Sequence, residues 1–529
     1  MFVLLKKVPP QATISTILRA TSRFSSSKAT VIDPPPMSPP HLTPPDFSKL
    51  RIYKDRSVFD LLNMYVMNTV CTKDIFVDNC HHMYKFSNQL FGSYITQGLV
   101  GSTMGRIFTA GNSLETVDQF VTSWPNKNIQ IYIDYSNEAV PGQILTAKEL
   151  DDTTRVFCES ISLASKAGSK SGIAIKVSAL ILPEVLLKTN VAQVTQYSFF
   201  SQSYGNLQET LTAKQIWNKL EELNVQASFE DLKEFMGLFL NKQLTSESEL
   251  ETVKITKFEW LNNIHAYYIN NSPKNANKIL LQLTKFTPED LSELARLSER
   301  LDLIFNKAHK EKSTVLVDAE QTYIQATIDS FTMQFSEVYN KDTAFVLNTF
   351  QNYLKSTQDR VNFEIERCKA LKIPFGAKLV RGAYMVEERR LAKELNYADP
   401  IHDTVQDTHD CYNMNLASVI KNWIPSSHLM VASHNEHSNY YGKSLVKEYN
   451  ITADKGHVTF IQLLGLADHL TFSNAEDGLT SAKYVPFGPI PIMIPYLIRR
   501  AQESKQMLAS ASLQRGFVLS ELAKRLTRS

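Results

Sequence analysis

Eight short apolar runs of strand length punctuate the chain: IQIYID (129–134), GIAIKVSA (172–179), TVLVDAE (314–320), AFVLNTFQ (344–351), FGAKLVRG (375–382), HLMVASHN (428–435), HVTFIQLL (457–464) and SAKYVPFG (481–488). Most are separated by stretches of helical pattern rather than by two-residue turns, which predicts parallel strands with crossover helices. Eight such units predict an α/β fold, a closed (β/α)8 TIM-like barrel. Between 190 and 310 the pattern is polar and helical, read as a helical insertion after the second strand. Two start signals lie within it, Ser228 three residues before Asp231 and Thr287-Pro288-Glu289-Asp290. The second opens a long helix whose Leu291, Leu294, Leu297, Leu301 and Ile304 form a packing stripe. Ahead of the barrel domain (105–529), Phe59, Leu62, Val66 and Val70 recur at helical spacing, so residues 49–104 read as an N-terminal helical arm with its apolar stripe against the main body.

Polar residues in the eight runs are not scattered. Asp134, Asp318, Glu320, Gln351, Arg381, His434 and Asn435 fall at or just beyond strand carboxyl ends, while Lys176, Lys378 and Tyr484 lie within theirs. In a barrel those ends share one face, where polar groups line a mouth above packed layers. The last unit runs into an amphipathic helix with adjacent Arg499 and Arg500. Their directions differ by about 100°, so both fork-shaped donors can converge on one carboxylate. The plainer alternative is a surface ion pair of Arg500 with Glu503.

Composition narrows the class. A 529-residue chain that is 43% hydrophobic and 21% charged is ordinary globular protein, and 56 basic against 54 acidic residues give no basic stripe for nucleic acid. Five cysteines without a CxxC pair read as free thiols in a reducing compartment, and the adjacent Cys80, His81 and His82 are a poor zinc set. Residues 1–32 are rich in Ser, Thr, Lys and Arg with no acid before Asp33, which is transit-peptide composition; a Pro-rich linker follows to residue 48. The most apolar window, 484–498, is interrupted by four prolines and too short to span a bilayer, so any membrane contact is expected to be peripheral. Neither a GxGxxG dinucleotide motif after an early strand nor a P-loop is present. The residues by themselves reach a barrel enzyme with an anionic small-molecule substrate; they do not reveal a cofactor.

The segments VDAEQT (317–322), AKLVRGAYM (377–385), ASHNEHS (432–438), FIQLLGLAD (460–468) and KYVPFG followed by YLIRRAQE (483–503) resemble, in order and spacing, the proline dehydrogenase family of mitochondrial eukaryotic type. The resemblance runs from roughly Phe108 to Leu526 and weakens through the insertion. It implies FAD across the barrel mouth and hydride transfer from proline C5 to flavin N5, giving Δ1-pyrroline-5-carboxylate. It further implies ubiquinone as electron acceptor and a peripheral place on the matrix side of the inner mitochondrial membrane. By the same resemblance Arg499 and Arg500 with Lys176 hold the proline carboxylate, and Tyr384, Leu463, Tyr484 and Tyr496 wall the ring. Lys378 stands near flavin N5, and Asp318 organises the substrate pocket. Ala319, Gln351, Arg381, Gly382, Ala383, Ser433 and His434, with Asn435 and Glu503, match flavin contacts. This chain has Asn112 after Ala-Gly where the family carries an acid, which leaves open a gate or ion pair there. Its first strand ends IDYSNEA, keeping Asp134, Tyr135 and Glu138. Two rival expectations are a hydroxyproline dehydrogenase of the same fold, against which the bulk of Tyr484 argues, and a metal-dependent barrel hydrolase using Asp318, Glu320 and His434. The hydrolase lacks an HxH on an early strand.

Overall fold

The structure is a computed structural model that describes residue 47 and residues 52–527, apart from 125–127, 139–144, 169–170, 201–205, 264–276, 453–455 and 507, and apart from the side chains of 81 and 503–511. The transit-peptide expectation, and the linker save for Phe47, lie outside the described residues. The strands are β1 (Ile129–Tyr135), β2 (Gly172–Ile175), β3 (Thr210–Thr212), β4 (Lys254–Thr256), β5 (Thr314–Val317), β6 (Val346–Gln351), β7 (Gly376–Val380), β8 (Ser427–Ala432), β9 (Gly456–Leu463) and β10 (Thr480–Phe487). Eight of them close a barrel in the order β1-β10-β9-β8-β7-β6-β5-β2, with β1 also paired to β2 and every ladder parallel. All eight apolar runs are therefore barrel strands.

Side chains alternate along each strand. The inner layer, Tyr132, Ala174, Leu316, Met430 and Ala482, is a packed apolar plug. Outward positions such as Ile131, Ile173, Val315 and Val485 face the surrounding helices. Two residues beyond four of the inner positions stand Asp134, Lys176, Asp318 and Tyr484. The period of two that buries the plug thus raises a ring of polar groups directly above it.

Three expectations change. The strand at 172–179 ends at Ile175 and turns into a short 3-10 segment, Val177–Ala179, so Lys176 stands just past the strand rather than within it. The insertion is not wholly helical, because β3 and β4 pair antiparallel. Helix Pro288–Lys310 packs on helix Ala147–Ala167 and on β5, so it belongs to the barrel's helical ring and not to the insertion. Both start signals are realised as capping boxes, Ser228 with Asp231 and Thr287 with Asp290, each satisfying backbone donors that the helix leaves open.

The arm reverses the expected phase. In helix Val58–Val70 the inward face is Leu61, Met64 and Asn68. The stripe thought to pack inward points to solvent, with Phe59 at 61%, Leu62 at 51% and Val66 at 49% exposure. Periodicity establishes that such a helix has an apolar side, and cannot tell which side meets protein.

Candidate active site

The polar ring at the barrel mouth is a lattice of buried charges. Lys176 Nζ donates to Asp134 Oδ1 at 2.7 Å and lies 3.6 Å from Asp318 Oδ2. Asp318 also accepts from Lys378 Nζ on its other oxygen and from the Tyr484 hydroxyl at 2.6 Å. Lys378 lies 5.1 Å from the Tyr484 ring centroid, a cation–π contact. Strands β1, β2, β7 and β10 and the turn after β5 thus bring residues more than 300 positions apart to one point. Two carboxylates and two ammonium groups balance there, as burial demands, since an unmatched charge would cost several kcal/mol.

The protonation states follow. Burial alone would push Asp318 up, but Lys378 and Lys176, together with hydrogen bonds from Lys378 and Tyr484, outweigh it and hold the carboxyl below its usual range. Burial would lower Lys176; Asp134, Asp318 and Glu138 hold it above the usual lysine range, so it stays charged. Tyr484 is raised by burial and by the carboxylates Asp134 and Asp318, so it remains a phenol and donor. Glu320, two residues past Asp318, behaves differently. Burial raises it to about 7, against the hydrogen bonds it accepts from Ser178 N and Ser178 Oγ.

The closing helix, Ile490–Gln506, supplies the arginines. Arg499 donates to Glu138 Oε1 at 2.8 Å and its guanidinium carbon lies 5.7 Å from the Tyr384 ring centroid. Arg500 is 5% exposed and stacks over Tyr496 at 4.6 Å, so it is no surface residue; the side chain of Glu503 lies outside the described residues. An ion pair does cross the mouth, from Glu138 rather than from position 112. The pair of arginines divides, one reaching toward β1 and the other toward Tyr496.

A second set of side chains occupies the β7–β9 side. Arg381 donates to His409 Nδ1 (3.0 Å), Ser433 Oγ (2.7 Å) and Ser438 Oγ (2.9 Å), and stacks over Tyr412 at 4.5 Å. Gly382 has φ +143°, and a Cβ there would lie 2.3 Å from the Tyr353 ring, so only glycine allows this turn. Gln351 is fixed by donating to Glu320 O at 2.8 Å, and Ala319 is buried beside it in sequence from Asp318. His434 Nε2 accepts from Leu463 N at 3.1 Å; burial, then Arg500 and Lys483, push it down to about 3, so the ring is neutral. Asn435 caps helix Glu436–Glu448 through Ser438 N. Glu388, in helix Met385–Leu395 after β7, accepts from Thr322 N (2.7 Å) and Thr322 Oγ1 (2.6 Å), tying that helix to the start of helix Thr322–Tyr339 after β5.

Sequence reasoning passed over Glu138 and Ser178 as site residues, and Asp134 as the partner of Lys176. Glu138 lies three residues beyond β1, in a loop with no periodicity to mark it. Among the described residues no three His, Cys, Asp or Glu side chains are grouped to hold a metal. Asp318 and Glu320 turn to different partners, Lys378 and Ser178.

A closed parallel barrel whose polar residues gather at the carboxyl ends of its strands, beneath an arginine-bearing helix, is the arrangement of a barrel enzyme. The family model described as proline dehydrogenase matches residues 121–512. The chain belongs to the proline dehydrogenase family. It is 29% identical over 490 residues to "Proline dehydrogenase 1, mitochondrial" of Dictyostelium discoideum, covering 91% of this chain and 75% of that protein. To the human protein of the same name it is 30% identical over 405 residues, covering 74% of this chain and 65% of that one. Among solved structures, proline utilization A of Bdellovibrio bacteriovorus superposes with a TM-score of 0.52 at 16% identity over 94% of this chain, a likeness of fold. The chain spans only 41% of the length of that protein.

Proposed function

We propose that this chain is an FAD-dependent dehydrogenase that oxidises L-proline to Δ1-pyrroline-5-carboxylate, the first step of proline breakdown. The observation that carries the reading is the convergence of Lys176, Asp318, Lys378 and Tyr484 at one mouth, beneath the helix bearing Arg499 and Arg500. FAD, when bound, would supply the hydride acceptor for proline C5. The donor set suits such a group. Arg381 is pre-fixed by three hydrogen bonds, Lys378 lies at the mouth bonded to Asp318, and the side-chain-free Gly382 with Ala383 leaves the rim exposed. Ala319, Gln351, Arg381, Gly382, Ala383, Ser433 and His434, with Asn435 and Glu503, are the residues that would hold it.

The chain's own residues then have definite tasks. Arg499, Arg500 and Lys176 hold the carboxylate at one end, which aims C5 at the other. Tyr384, Leu463, Tyr484 and Tyr496 enclose the ring and exclude water. Asp318 is held ionised, so it positions Lys378 and Tyr484 and does not serve as the acid. As the C5–H bond breaks and the hydride leaves, the nitrogen lone pair forms C5=N, which requires the amine to be neutral at that moment; the protonated imine so formed then releases its N–H proton to give Δ1-pyrroline-5-carboxylate. Electrons pass onward to ubiquinone, with the protein peripheral on the matrix side of the inner mitochondrial membrane; the relatives named above carry "mitochondrial" in their names. Among the described residues no helix is long and apolar enough to cross a membrane.

One relative favours a second reading. A Xenopus laevis hydroxyproline dehydrogenase is 36% identical over 238 residues. The Tyr484 phenol, pinned on Asp318, leaves little room for a 4-hydroxyl and favours proline. Comparing kcat/KM for the two imino acids by dye reduction tests the choice: proline is expected to be preferred, and a preference for hydroxyproline reverses it.

A further inference from the structure

The arm is built inside out. Thirteen of the twenty-two large apolar side chains exposed among the described residues lie between Val58 and Leu99. Helix Asp74–Val100 breaks at Gly92, where φ is 78°. Ser87 and Thr96, on either side of the break, are bonded through their hydroxyls at 2.9 Å. Residues nine apart on one straight helix would stand about 13.5 Å apart along its axis, so the chain folds back there into an elbow. Its polar side chains are inside: Thr96 is 2% exposed, and Ser87 and Asn88 are partly buried. Its apolar ones are outside: Phe86, Leu90, Phe91, Tyr94, Ile95 and Leu99 are 56–91% exposed.

The ends of this segment are anchored and its middle projects. Cys71 and Val77 pack on Ala501, and Gly101 and Gly105 lie under Ile490, so both ends grip the helix that carries Arg499 and Arg500. From Asn79 to Gly105 the sequence contains no acidic residue; Lys85 lies within it, Asp78 directly before it and Arg106, paired with Asp60, directly after it. A protein partner reads one stripe of a helix, whereas these side chains cover both limbs of the elbow and its tip. A surface of aromatic and aliphatic residues around a polar interior, without acids and bearing Lys85, complements a medium that is apolar within and anionic at its face.

We infer that the elbow at 82–99 is a monotopic membrane-docking element, which sinks its outer side chains into the acyl region of a bilayer bearing anionic headgroups and so sets the barrel mouth beside the membrane. This deepens the peripheral membrane contact proposed above and rests on it. Flotation of the full chain with phosphatidylcholine vesicles, with and without phosphatidylglycerol, tests it, with proline-dependent reduction of a soluble dye followed in the same samples. The wild type is expected to float, more so with the anionic lipid. The Phe86→Ser/Phe91→Ser/Ile95→Ser variant is expected to partition roughly 100-fold more weakly while keeping its dye turnover. A Phe91→Trp variant read by fluorescence is expected to shift to the blue and to be quenched by brominated acyl chains. Vesicle binding equal in the wild type and the triple variant, no binding by the wild type, or an unquenched Trp at 91 would overturn the inference. So would conversion of a wild-type dimer to monomer by the triple substitution, which would assign the face to a second copy. Turnover without flotation defeats the docking element alone; flotation without turnover defeats the catalytic reading instead.

Discussion

The barrel mouth and the arm treat polarity in opposite ways. At the mouth, charges are buried and cancelled: Asp134, Lys176, Asp318 and Lys378 are all at most 8% exposed, and each has an opposite charge within 4 Å. In the arm, hydroxyls are hidden and aromatic rings are shown to the outside. The difference teaches where each region takes its order from. Mouth residues are held by one another, so removing one strands its partner; the arm's outer residues are largely exposed among the described residues, Phe59 keeping a cation–π contact with Arg106, so removing them should disturb the fold little.

The sharpest break is Asp318→Ala, which leaves Lys378 and Lys176 buried together with only Asp134 in direct contact with Lys176 and Glu138 farther off. A loss of about 3 to 5 kcal/mol in stability and of all measurable proline turnover is expected, read by thermal melting and dye reduction. Next, Leu61→Ala in the arm's inward face should cost about 2 to 5 kcal/mol, while Leu62→Ser on its outward face should change stability by roughly 0.5 kcal/mol or less. Equal effects at the two sites would erase the contrast between the faces. Arg499→Met or Arg500→Met should keep bound FAD and lower kcat/KM for proline about 10- to 150-fold, a loss of roughly 1.5 to 3 kcal/mol. Wild-type efficiency in both would remove the carboxylate assignment.

The smallest effect is one of pH. Glu320 and Glu388 are each raised by burial from 4.5 to about 7, so between those values the folded chain holds protons that the unfolded chain has released. The stability that each of these two groups contributes therefore falls as pH rises from about 4.5 to 7 and levels off above, by roughly 3 kcal/mol, while His434, pushed down to about 3, contributes in the opposite sense over most of that window. Glu320→Gln removes one of these contributions, so its melting temperature should fall less, or rise more, with pH across that window than the wild type's; an unchanged pH dependence would mean that Glu320 titrates normally.

Much of this was legible beforehand. Eight apolar runs named the eight barrel strands, and polar residues at their carboxyl ends named most of the mouth, because a period of two and a shared barrel face are local rules. What was not legible is pairing across the barrel. Nothing in a linear sequence says that Lys176 answers to Asp134, or that Glu138, from a loop without pattern, reaches Arg499. The arm's stripe misled for a related reason: apolar spacing records a helix with an apolar face, and a face turned outward has the same spacing as one turned inward. The cofactor left no mark in the residue pattern. Without a GxGxxG turn, only the resemblance of several motifs together pointed to it.

The account's central claim is that the residues gathered at this mouth hold a flavin against proline. The absorbance spectrum of the purified full chain, taken anaerobically before and after adding L-proline, tests it most directly. Flavin bands that bleach with proline are predicted. A colourless protein that stays colourless and inactive when FAD is supplied, or bands that proline leaves unchanged, would contradict it.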